Sequence, residues 1–240
     1  MTEFSQTNWA EDRFAQEYRD NAEIYIMERT RLLNILKSFY RHFLKNKKKK
    51  NILDLGCGDG IITHEILKVD SAISATLLDG SEDMLRNAQE RLNEYKNIHY
   101  IKASFQEVLR KDILNQRYDL IVSSLAIHHL TMREKKALFK KIYTHLYQGG
   151  YFVNIDVVLS PTERLEQWYL SLWKDWMHEK KKSLGIEGDY FDDIVCRYKD
   201  NKDNKPDTLK DQMNALEEIG FQDVDCFYKY GIFSMYGGRK

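Results

Sequence analysis

Proline is almost missing from this 240-residue chain, with two in all. Cysteine is scarce too: Cys57, Cys196 and Cys226 are far apart and odd in number. With so few prolines and no Ser/Gly-rich tract, no linker is recognisable. Three scattered cysteines make no disulfide framework, and the compartment expected from them is reducing and cytoplasmic. Neither sign of charge is in excess, since 37 Lys+Arg balance 37 Asp+Glu. A bulk nucleic-acid or membrane-surface binder would carry a basic surplus, so neither partner is expected. A local patch of Arg41, Lys45 and Lys47–Lys50 points the other way. Long apolar runs are also missing. Stretches such as Tyr151–Leu159 are too short to cross a bilayer, and Met1–Ala10 is polar, without an apolar signal core. There is no HExxH and no paired cysteine, and His64, His99 and His145 lack ligand spacing, so no metal is expected.

What is present is a globular composition, 42% hydrophobic and 31% charged, long enough to bury a core unaided. Phe14, Tyr18, Ile24, Leu32, Ile35, Leu36, Phe39 and Phe43 recur near a 3.6 period, which predicts N-terminal helices. Strands are then predicted at Asn51–Leu55, Ile73–Leu78, Ile98–Lys102, Tyr118–Ser123 and Tyr151–Val158. Helices are predicted between them at Ile61–Val69, Ser81–Tyr95 (capped by Ser81), Phe105–Leu114 and Thr131–Leu146, the last ended by Gly149-Gly150. Alternation of this kind, with nearly continuous apolar strands, implies an α/β fold: an open parallel sheet with helices on both faces. Ser160-Pro161-Thr162-Glu163 reads as a helix start, with Ser160 as N-cap and Pro161 at the first position. That helix carries Trp168, Tyr169, Trp173 and Trp176. A helix over Asp207–Ile219, stopped by Gly220, precedes a hairpin of Phe221–Phe227 and Gly231–Tyr236. One domain is expected: an N-terminal helical lid (1–50), a core (51–159), a helical cap inserted over the carboxyl edge (160–206), and a final helix and hairpin (207–240).

The strongest chemical signal is Ile52-Leu53-Asp54-Leu55-Gly56-Cys57-Gly58-Asp59-Gly60, a strand, a glycine turn and a helix in order. Glycines there let backbone N–H groups approach a ligand at the carboxyl edge of the sheet. The dinucleotide pattern G-x-G-x-x-G fails, because Ile61 stands where the third glycine belongs, which disfavours a nicotinamide dehydrogenase. Asp79, ending the second strand, is placed to accept the hydroxyls of a ribose. Ser104, after the third strand, is a candidate for an adenine edge, with a plain loop as the alternative. His128-His129 follows the fourth strand, and an imidazole there can take a proton near neutral pH. Adjacent side chains at a strand end point opposite ways, so only one of the two is expected to face a substrate. Trp168, Leu172 and Trp176 share a helix face that serves either as a cap through cation–π contact or as core packing.

Together these segments resemble the class I S-adenosylmethionine (SAM) dependent methyltransferases. The matching pieces are Asp54–Gly60, Leu77–Leu85, Ile101–Ser104, Tyr118–Ser124 with Ala126–Leu130, Gly149–Phe152 and the closing Phe233–Gly238, all in family order. The resemblance implies a Rossmann-like, doubly wound seven-stranded sheet, mostly parallel with an antiparallel last strand. It implies SAM as cofactor and S-adenosylhomocysteine as product. It implies contacts to SAM from Asp54, Gly56, Cys57 and Gly58, to its ribose from Asp79, to its adenine from Gly80, Met84, Ser104 and Phe105, and near its sulfonium from Ser124 and Leu125. His128 and His129 become candidate bases, and Tyr18, Trp168, Trp173 and Arg197 candidate substrate contacts. The C-terminal third also resembles carboxy-SAM synthases in layout, where Arg197 falls near an arginine that holds an extra carboxylate. Methyl transfer to a small molecule, by a monomer or homodimer, is therefore the leading expectation. A carboxy-SAM synthase and a SAM-binding protein without chemistry are the alternatives.

Overall fold

A computed structural model describes residues 4–47, 50–186 and 193–240; Lys48 and Lys49, in the middle of the lysine run, lie outside the described residues. Two 3-10 turns, Phe4–Gln6 and Asn8–Ala10, lead into α1 (Asp12–Tyr25) and α2 (Arg29–Phe43). In α2 the buried residues are Leu32, Leu36, Phe39 and Tyr40. That spacing of three and four makes one apolar stripe.

Alternating strands and helices follow: β1 (Asn51–Leu55), α3 (Ile61–Leu67), β2 (Ser74–Asp79), α4 (Glu82–Arg91), β3 (Ile98–Lys102), α5 (Phe105–Arg110), β4 (Tyr118–Ser124), α6 (Met132–His145) and β5 (Leu146–Val157). The chain ends in α7 (Glu163–Ser183), α8 (Ile194–Asp200), α9 (Leu209–Ile219), β6 (Gln222–Tyr230) and β7 (Phe233–Arg239). The seven strands form one sheet in the order β3-β2-β1-β4-β5-β7-β6. The pairs among β1 to β5 are parallel, and β7 runs antiparallel between β5 and β6. The backbone closes tightly there: a Cβ on Gly237 would lie 2.0 Å from the Phe152 carbonyl oxygen, so no larger residue fits. This is the Rossmann-like sheet implied by the glycine turn and its companions.

Side chains alternate across β1. Ile52 joins the core against α2, α3 and α4, while Leu53 and Leu55 join the core against α5, α6 and α9. Both faces are thus covered, as buried parallel strands require. Strand order reverses between β1 and β4, and a crevice opens there at the carboxyl ends. Among the described residues no helix is long and apolar enough to cross a membrane.

Three local expectations are corrected. The helix α6 stops at His145 and β5 begins at once, so Gly149 (φ 73°) bends a strand instead of ending a helix. Tyr118 pairs with Leu146 before a register shift, and this pairing extends the strand. The N-cap of α7 is Thr162, whose hydroxyl accepts the Leu165 N–H, not Ser160. The chain is held extended ahead of it, because Leu159 N–H donates to the Asp207 carbonyl. Several helices are also shorter than their apolar patterns: α4 ends at Arg91 and α5 at Arg110.

Candidate active site

The turn after β1 has Gly56, Gly58 and Gly60 all at positive φ. At Gly56 a side chain is doubly excluded: φ is 68°, and a Cβ would sit 2.5 Å from that of Ala126. Over Gly58 the space is open, the nearest atom to a hypothetical Cβ being Met84 Sδ at 4.0 Å. Asp79 joins this turn to β2. Its Oδ2 accepts the Gly58 N–H at 2.9 Å and its Oδ1 the Ser81 N–H at 2.8 Å. Burial pushes its carboxyl up, against the lowering effect of the N–H groups of Ser81, Gly58 and Gly80. Each oxygen still has lone-pair capacity.

A trough of about 130 Å³ runs from Gly56 and Gly58 past Asp79, Gly80 and Met84 to Phe105. A carboxylate for vicinal hydroxyls, exposed backbone at the glycines and apolar walls at Met84 and Phe105 fit a nucleoside carrying an amino-acid tail. Ser104 lines this trough, but its hydroxyl is engaged in a capping box with Glu107. Ser124 and Leu125 line it as well. Leu125 has φ 52°, a left-handed conformation rare outside glycine and typical of constrained sites.

Asp54 and Cys57 stand further back. Asp54 is fully buried; its Oδ2 accepts the Thr63 hydroxyl at 2.7 Å, and Oδ1 has no partner among the described residues. Burial pushes its carboxyl up to about 7. The Cys57 thiol is likewise pushed up by burial, so it stays protonated, and it faces a side cavity that also contains Arg19 and Arg29.

Beyond Leu125 lies a second chamber of about 450 Å³, walled in part by the aromatic Trp9, Tyr18, Tyr25, Trp173, Tyr198 and Phe233 and in part by polar side chains such as Glu17, Arg197 and Asp200. Trough and chamber share Trp9, Tyr18, Leu125 and His129. Trp9 packs edge-on against Tyr18, with ring centroids 5.1 Å apart, and against His129 at 5.7 Å. Trp173 donates its ring N–H to the Tyr25 carbonyl at 2.8 Å. Trp168, five residues earlier on α7, points elsewhere: it is 56% exposed and lines neither trough nor chamber. Five residues is about 140° around a helix, so the two indoles cannot share a face. Arg197 lines the chamber, not the trough, and is ion-paired with Glu17 at 3.1 Å and Asp193 at 3.2 Å.

His128 and His129 sit in a 3-10 turn, Ile127–His129, instead of on a strand end. Their rings therefore lie side by side, centroids 4.0 Å apart, and both reach the chamber. The ring nitrogen Nδ1 of His128 is 2.6 Å from Asp156 Oδ1, and the His128 backbone N–H donates to Asp156 Oδ2 at 2.9 Å. With Nδ1 as the donor to a carboxylate, Nε2 carries the lone pair. His129 Nδ1 lies 3.1 Å from the Asp203 carbonyl, and burial pushes its ring well below the usual histidine range. Asp156, Phe4, Trp9 and Asp203 were missed by sequence reasoning. Asp156 carries one legible signal, an acid two residues after Asn154 in a stretch, Tyr151–Leu159, that is apolar apart from these two.

A model of the methyltransferase domain family matches residues 46–219. The chain belongs to that family. Its chemistry is SAM-dependent methylation. Curated relatives include the carboxy-S-adenosyl-L-methionine synthase of Nautilia profundicola, 22% identical over 212 residues, covering 85% of this chain and 82% of that protein. The same-named protein of Helicobacter pylori strain P12 is 24% identical, covering 96% and 93%. Among solved structures, an O-methyltransferase family protein from Burkholderia thailandensis superposes with a TM-score of 0.68 at 11% identity, over 98% of this chain and 62% of that one. An O-methyltransferase family 2 protein from Planctomyces limnophilus, in complex with apigenin, gives 0.65 at 13%, over 99% and 63%. The chain thus spans less than two thirds of either solved structure, and these likenesses speak to the fold.

Proposed function

We propose that this methyltransferase acts on a hydroxyl of a small aromatic molecule, with His128 as general base and Asp156 as its orienting acid. The observation that carries the reading is the 2.6 Å His128–Asp156 pair opening onto a partly aromatic chamber that shares Leu125, Tyr18 and His129 with the trough. Bound SAM supplies a methyl group already activated on a positive sulfur. The chain's own task is alignment and proton removal. A planar acceptor lies between Tyr18, Trp173 and Tyr198, its hydroxyl facing His128. The hydroxyl proton passes to His128 Nε2 as its oxygen bonds the methyl carbon and the carbon–sulfur bond breaks. Asp156 stabilises the imidazolium that results. Trp9, Tyr18 and Leu125 keep water from the junction.

The test is labelled SAM with a panel of mono- and bicyclic phenols and the matching anilines and thiols. Label is expected in phenols, and His128→Ala is expected to lose turnover while retaining SAM affinity. Label only in anilines or thiols, or full turnover in His128→Ala, overturns the reading.

A second reading rests on the curated relatives, which are named carboxy-SAM synthases, and on Arg197 in the chamber wall. Against it, Arg197 already has two acidic partners, Glu17 and Asp193. Mass spectrometry of ligand released from the denatured protein separates the two. SAM or S-adenosylhomocysteine favours methyl transfer, and carboxy-SAM favours the second reading.

A further inference from the structure

Behind His128 and Asp156 runs a file of buried polar side chains that neither binding nor proton removal uses. Asp156 is 1% exposed. Besides the two groups of His128, it accepts the Val157 N–H at 2.9 Å and Asn154 Nδ2 at 3.4 Å. Asn154, fully buried two residues back on β5, donates from the same nitrogen to the Tyr236 phenol oxygen at 2.8 Å. Tyr236, fully buried on β7, donates its hydroxyl hydrogen bond to Gln212 Oε1 at 2.6 Å. Gln212, on α9, donates to the Asp207 carbonyl at 3.0 Å. The Asp207 carboxylate accepts from Lys135 Nζ at 2.6 Å, and the Lys135 side chain is fully sequestered on α6.

The sense of these bonds follows from chemistry. The Asn154 amide turns its nitrogen to Asp156, because its oxygen would face a carboxylate. The Tyr236 oxygen is then the acceptor, and its hydrogen goes on to Gln212. The far end holds the pair as well. Lys135 also donates to the Lys205 carbonyl at 2.6 Å, and the Lys205 backbone N–H donates to the His128 carbonyl at 2.8 Å.

We infer that Asn154, Tyr236 and Gln212 are positioning residues for methyl transfer, which set how much of the Asp156 charge reaches the His128 ring. The inference rests on the reading of His128 as the base. Buried polar groups are costly, and an apolar filling of this space would hold the sheet as well, so this file is not explained by stability. Asn154 divides its donors unequally, close to Tyr236 and long to Asp156. Tyr236 draws the amide away and leaves the carboxylate's charge directed at His128.

The experiment is NMR on the full-length, histidine-labelled protein, reading the His128 Nδ1–H proton. Tyr236→Phe lets Asn154 close on Asp156 and weakens the His128 bond, so the resonance moves upfield. Asn154→Leu removes that donor, and the resonance moves downfield. In Tyr236→Phe kcat for a phenol substrate falls by about threefold to tenfold, whereas in Asn154→Leu it does not fall, with SAM affinity unchanged in both. Opposite shifts support the inference; an unmoved resonance, or shifts of the same sign, overturn it. Tyr236→Phe adds no volume and carries the test alone if Asn154→Leu does not fold. Turnover in His128→Asn reports separately: full activity there sinks the base reading, whereas the NMR shifts judge the file of residues alone.

Discussion

The Gly58 N–H donates to Asp79 Oδ2 at 2.9 Å, tying the turn after β1 to the acid that ends β2. On the proposed binding of SAM, the acid placed for the ribose also fixes the backbone placed for the amino-acid tail. Asp79→Ala removes both functions, and SAM affinity measured by calorimetry is expected to fall at least about tenfold, with Asp79→Asn intermediate. Wild-type affinity in Asp79→Ala would remove the assignment.

Asp54 makes a pH signature. Its carboxyl titrates near 7 in the folded protein, for reasons of burial, against 3.8 as its ordinary value. Between about pH 4 and pH 7 the folded chain therefore keeps a proton that the unfolded chain has lost, and stability falls as pH rises through that window. Asp54→Asn keeps a partner for the Thr63 hydroxyl and cannot ionise. Relative to wild type it should gain a few kcal/mol between pH 4 and pH 8, at about 1.4 kcal/mol per unit. Parallel curves from denaturant titrations would show that Asp54 does not titrate in this way.

Trp9 touches both Tyr18 and His129 and stands in the wall common to trough and chamber. Trp9→Ala should admit water to that junction. The acceptor KM is expected to rise about tenfold, with a smaller loss in kcat. Steady-state kinetics with the best phenol from the panel decides this, and unchanged constants would place Trp9 outside the working site.

Gly56→Ala meets Ala126 Cβ at 2.5 Å and a φ of 68°. Ala126 begins the turn that carries His128, so the clash is expected to displace both sites. Expected are a stability loss of about 1–3 kcal/mol and no measurable SAM binding. Retained binding would mean that the turn can open without cost.

Much of the fold is legible in the sequence, because strands buried on both faces need mostly apolar runs and the turn after β1 needs glycine. Asp54, Asp79 and Ser81 could be placed from local pattern alone: Asp54 inside the first strand just before its glycine turn, Asp79 at the end of the second strand, and Ser81 capping the next helix. Where two local signals competed, contacts from elsewhere in the chain chose between them. The N-cap role fell to Thr162, since Leu159 is bonded to the Asp207 backbone, and β5 starts at Leu146, since Tyr118 pairs with it.

The sequence by itself determined the order of strands and helices, the glycine turn and the acid beside it. These depend on neighbours a few residues apart: periodicity, propensity and backbone freedom. Only the tertiary structure decided which histidine has a carboxylate behind it, which tryptophan faces the chamber, and what Arg197 pairs with. His128 and Asp156 are 28 residues apart, and Asn154 and Tyr236 are 82 apart. Such pairs exist only once β5 lies between β4 and β7, because a hydrogen bond is set by distance in space and leaves no periodic mark along the chain.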